Sequence, residues 1–152
     1  MSYGAGMRTM LAVSAALALA ACSHKSTELD AETSKQLLLD RNWLDRMPES
    51  KDTRLHVYRF VPSMGGGVFQ DRTLFKGTFE LFTFKVEHGD QLVFNLPETG
   101  DKVTSKYAIE AVEGPKPFDL KLSISDDPRG PHVYFGMTSE KSSDIAALLE
   151  QR

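Results

Sequence analysis

The chain reads as an all-β protein: an eight-stranded antiparallel up-and-down barrel with a short helix before it and another after it. Three observations point there. Between Trp43 and Met137, aromatic and β-branched residues cluster in short runs separated by turn chemistry. The clearest runs alternate apolar and polar side chains, as strands with one dry and one wet face do. No helical period in this region is long enough to supply a crossover between parallel strands. Consecutive hairpins therefore form a meander, and a meander of about eight strands removes its exposed edges by closing on itself.

Residues 1–26 are a different material. Arg8 is the only charge before His24, and Thr9–Ala21 reads TMLAVSAALALAA. That run is short for a bilayer span, which usually takes about 20 apolar residues. A basic start, a short apolar stretch and small residues at its end describe a secretory signal over residues 1–21, beginning at Met1 or Met7. It ends on Leu19, Ala20, Ala21 and the chain's single cysteine, Cys22. This LAAC sequence resembles the lipobox of bacterial lipoproteins. The resemblance implies a diacylglyceryl group on the Cys22 sulfur, cleavage just before it and acylation of the new amino group. Small residues admit the peptidase to the backbone, and a thiolate is a strong nucleophile for the lipid. Palmitate-type chains then moor the protein in a membrane, each buried methylene contributing about 0.8 kcal/mol. By the sorting rule of enteric bacteria, Ser23 implies the outer membrane, with the domain facing the periplasm or the cell exterior. The alternative is an ordinary secretory signal with a coincidental cysteine.

Residues 22–33 are polar and without periodicity, which suits a flexible lipidated tether. The domain then runs over 34–152. Thr33 with Gln36 fits a capping box, so a short helix is expected over about Ser34–Asp40. Eight strands follow: Asn42–Arg46, Leu55–Val61, Val68–Arg72, Phe75–Val86, Gln91–Leu96, Lys102–Val112, Phe118–Ser125 and His132–Met137. Phe118, Leu120, Leu122 and Ile124 share one face; so do Leu92, Phe94 and Leu96. The fourth run breaks phase, with Phe75, Gly77, Phe79 and Leu81 giving way to Phe82, Phe84 and Val86. A bulge or bend near Leu81 would restore a single inward face. After the last strand, Ile145, Leu148 and Leu149 fall on one helical stripe, which predicts a helix over about Ser142–Glu150 lying on the outside of the barrel.

A short helix, a tryptophan in the first strand, an eight-strand meander and a terminal helix together resemble the lipocalin-like (calycin) proteins, over roughly residues 34–150. Where that family has Gly-x-Trp, this chain has Arg41, Asn42 and Trp43, and its last strand, HVYFGM, has no arginine to stack on the tryptophan. The resemblance implies that Trp43 plugs the closed end of the barrel. It also implies a small hydrophobic ligand inside, lined by Phe60, Phe79, Phe82, Phe84, Phe94, Tyr107 and Phe118. An eight-stranded barrel has room either for its own side chains or for one small ligand. With nine phenylalanines, a filled interior is as reasonable an expectation as a cavity. The function expected is accordingly non-catalytic binding of a small hydrophobic ligand near the membrane; the alternative is a packed-barrel interaction module recognising a protein or envelope component.

The formal net charge of -3 offers no electrostatic case for nucleic acid. One cysteine makes neither an internal disulfide nor a cysteine-rich metal site, and His24, His56, His88 and His132 are scattered, so no metal is expected. Gly65–Gly67 lacks the Lys-Ser/Thr that a phosphate loop requires. No serine lies in a nucleophile elbow, and Asp126 and Asp127 before Pro128 read as turn formers. No catalytic residue and no cofactor are expected, and the protein is read as non-catalytic.

Overall fold

Hairpins following one another build the observed molecule, a computed structural model that describes residues 26–139 and 145–150. The ring consists of β2 (Asn42–Leu44), β3 (Leu55–Val61), β4 (Gly66–Arg72), β5 (Gly77–Glu87), β6 (Gln91–Leu96), β7 (Asp101–Ala111), β8 (Leu120–Ile124) and β9 (Val133–Gly136). Each pairs antiparallel with the next, and β9 returns to β2 through Leu44 and Phe135. The eight-stranded up-and-down barrel is therefore closed.

An extra strand, β1 (Thr27–Glu28), lies outside the ring. The β6 ladder stops at Lys106, and β1 takes the vacated edge of β7 at Glu110 and Ala111. Residues expected to belong to a tether are thus paired onto the barrel from outside. Helix α1 (Ala31–Leu38) also starts earlier than expected. Its cap is Asp30, whose carboxylate accepts from Thr33 N at 3.0 Å and from Thr33 Oγ1 at 2.7 Å. An aspartate cap outcompetes the threonine because its charge also meets the positive end of the helix dipole. Gln36 bonds Glu32 at 3.2 Å instead of closing a box with Thr33.

Inward residues alternate with outward ones along each strand. Tyr58 and Phe60, Phe82, Phe94, and Leu120, Leu122 and Ile124 enter a single core with Leu38 and Trp43. A second cluster lies outside the ring, where Leu44, Leu55, Val57, Phe118 and Met137 meet Leu148 of α2 (Ile145–Glu150). The terminal helix therefore covers the outer wall, as its stripe predicts.

Two expectations about direction are corrected. Phe118 does not share the inner face of Leu120, Leu122 and Ile124; it precedes β8 and packs under α2, stacked on Phe135. No bulge turns β5. Its ladder with β4 runs unbroken from Gly77 to Phe82, and its ladder with β6 begins at Thr83. With Phe82 inward, strict alternation sends Phe79 and Leu81 outward, where they are 69% and 58% exposed. Cys22 and the whole signal lie outside the described residues.

Candidate functional site

The barrel interior is occupied by its own aromatic rings. Tyr58 touches Phe60, Phe69, Phe82, Phe94 and Tyr134, with ring centroids 4.8–6.1 Å apart. Phe60 and Phe82 meet edge to face at 5.6 Å, and Phe84 leans on Phe60 at 5.1 Å. These are the tilted and edge-on arrangements that ring quadrupoles favour. Of the expected ligand-lining residues, Phe60, Phe82, Phe94 and Tyr107 are buried in this core and Phe84 is half-buried against it. Phe60, Phe82, Phe84 and Phe94 pack on one another within the ring. Trp43 is fully buried; its Nε1 donates to Leu38 O at 3.0 Å, and its ring lies against Gly136, where a Cβ would come within 2.9 Å.

The opposite end is latched by the loop between β8 and β9. Asp127 accepts from Tyr58 OH at 2.8 Å, Tyr134 OH at 2.5 Å, Arg129 N at 2.9 Å and His132 N at 3.4 Å. Burial, and then the nearby Asp127 charge, push both tyrosine phenols far above their ordinary value. The Arg129 side chain, 8% exposed, pairs through Nη1 with both Glu80 and Glu98 and lies over the Phe69 ring at 5.6 Å. Beside it, His56 stands with Nδ1 3.0 Å from Asp45 and Nε2 3.9 Å from Asp71, and the Arg54 guanidinium holds the Asp71 carboxyl below its usual value. Asp127, Glu80, Glu98, Asp45 and Asp71 are thus each engaged in hydrogen bonds or ion pairs at this end of the barrel. Among the described residues no group of three His, Cys, Asp or Glu is placed to hold a metal.

The outer wall of β4 and β5 is different. Met64, Phe75, Phe79 and Leu81 are all more than half exposed and run along this wall. Around Leu81 lies a hollow of about 230 Å³, lined also by Val61, Met64, Val68 and Pro97. Gly66 at its rim lets β5 pass close to β4, since a Cβ there would run into the Phe82 carbonyl oxygen. A second hollow of about 180 Å³ lies between Gln70, Arg72, Phe75 and Phe79. The sequence signal for this surface was the phase break in β5: two apolar sets on opposite faces of one strand, of which only one fits inside. No protein family, curated protein or solved structure matches this chain.

Proposed function

We propose that this chain is a lipid-anchored envelope protein whose lipocalin-like barrel is a filled, non-catalytic interaction module, recognising protein with the outer wall of β4 and β5. One contrast supports the reading. The interior phenylalanines pack on each other, while Phe75, Phe79, Leu81 and Met64 face solvent together. Contiguous exposed apolar side chains of this size mark interaction surfaces in soluble domains. The anchor is the acylated Cys22 of the LAAC sequence, which holds the barrel at the membrane by a short polar link.

The test is crosslinking in cells from a photoreactive residue at Leu81, with Ser123 on the far wall as control. A discrete protein adduct from Leu81 and none from Ser123 is expected. No adduct from Leu81, or equal labelling from both positions, overturns the reading. For the anchor, radiolabelled palmitate is expected on the wild-type chain and absent from Cys22→Ser; an unlabelled wild-type chain removes the lipid from the account.

A further inference from the structure

The β5 strand has an unpaired edge over half its length. Its ladder with β6 covers Thr83–Glu87 only, so the side of Gly77–Phe82 facing away from β4 has no strand partner among the described residues. The turn bond from Thr73 N to Lys76 O sets the alternation of the antiparallel ladder. It turns the backbone groups of Thr78, Glu80 and Phe82 toward β4, and those of Gly77, Phe79 and Leu81 toward the open side. Every residue from Gly77 to Leu81 is exposed.

We infer that this edge binds an extended segment of another polypeptide, as an added antiparallel or parallel strand with alternating apolar and basic side chains. The inference rests on the interaction-module reading and names its partner's chemistry. Three free N–H and C=O pairs ask for backbone groups in return, which only a polypeptide strand supplies in register. Hydrocarbon cannot satisfy them, so a bilayer is a poor occupant. On the outer face Phe79 and Leu81 offer contacts at the two-residue spacing of a strand. On the other face Glu80 and Glu98 share the single guanidinium of Arg129, which leaves surplus negative charge beside the edge. An added strand thus presents apolar residues to one side and lysine or arginine to the other. A second copy of this chain fits worse, because pairing β5 with itself brings one acidic face against another.

The test uses the full lipidated chain in phospholipid nanodiscs, with residue-resolved amide exchange as the readout. The probe is a blocked peptide of alternating valine and lysine. At saturation, exchange at Gly77, Phe79 and Leu81 is expected to slow at least tenfold, with Thr78 and Glu80 unchanged because β4 already holds them. N-methylation of every second peptide amide is expected to abolish the effect in one phase and preserve it in the other. Phe79→Ser is expected to weaken binding at least tenfold; a fluorescence check on Trp43 confirms that the variant is folded. Unchanged exchange at 77, 79 and 81 overturns the inference. So does equal protection by both N-methylated peptides, or protection that rises with protein concentration alone, which would assign the edge to a second copy. A positive crosslink from Leu81 in cells without edge protection leaves the interaction reading standing and removes only this inference. Edge protection without any crosslink overturns the cellular interaction reading, and this inference with it.

Discussion

At the scale of single residues, Asp127 is the group on which the mouth depends. Its position in a turn is legible, since an aspartate before Pro128 favours bonds to local backbone, and it accepts from Arg129 N and His132 N. Its two tyrosine partners were not legible. Tyr58 lies 69 residues away and reaches it only because the barrel closes. Arg129 follows Pro128 in the same loop, and its side chain is nonetheless buried, paired with two carboxylates from other hairpins. Removing a hydroxyl leaves a buried carboxylate short of a donor, so Tyr134→Phe is expected to cost about 1–3 kcal/mol in urea unfolding followed by the single tryptophan. Tyr58→Phe is expected to cost a similar amount, and the double variant less than the sum because both act on one carboxylate. The raised phenol values also set an alkaline limit. Both phenols stay protonated in the fold above pH 10.0, the ordinary tyrosine value, while the unfolded chain releases those protons. Their contribution is therefore complete below about pH 10 and declines above it, by about 1.4 kcal/mol per pH unit for each tyrosine. Unfolding midpoints measured between pH 8 and pH 11 are expected to show that decline, and the double variant is expected to flatten it.

At the scale of elements, strand existence was legible and strand direction was not always so. Regular alternation correctly placed Leu92, Phe94, Leu120, Leu122 and Ile124 inside. In β5 both faces carry aromatic residues, and composition alone does not say which set the ring encloses. A bulge is the natural way to hide both. The structure leaves Phe79 and Leu81 outside, and changes the partner of β5 from β4 to β6 between Phe82 and Thr83. The glycines at the start of β4 hold this crossing together. Gly66→Ala puts a methyl into the Phe82 carbonyl, with backbone and not a mobile side chain in its path. It is expected to cost about 3 kcal/mol or more, or to prevent folding. Gly65→Ala meets no neighbour and only carries the left-handed conformation at φ 81, so about 1 kcal/mol is expected. Comparing the two by thermal unfolding separates close approach from backbone conformation. The terminal helix makes a parallel case. Leu148 is 1% exposed against Leu44, Leu55, Val57 and Phe118, and Leu148→Ala is expected to cost about 2–3 kcal/mol while the barrel stays closed by circular dichroism.

At the scale of the whole molecule, the order of elements foretold the closed eight-stranded ring because each turn signal sits between two runs of strand length. What remained open was the content of the ring, a question of volume that no single run of residues answers. Tyr58 makes ring contacts in five directions, and Phe60, Phe82 and Phe94 close on each other around it. A barrel filled in this way behaves as a small protein core, and the apolar surface proposed for binding is the wall that the fold leaves uncovered. The most direct test is methyl and indole NMR on the full chain in nanodiscs while lauric acid is titrated in. The signals of Leu92, Ile109, Leu122 and the Trp43 indole are expected to stay where they are at every concentration. Saturable shifts at those buried positions would mean that the barrel opens for a ligand, and would contradict it.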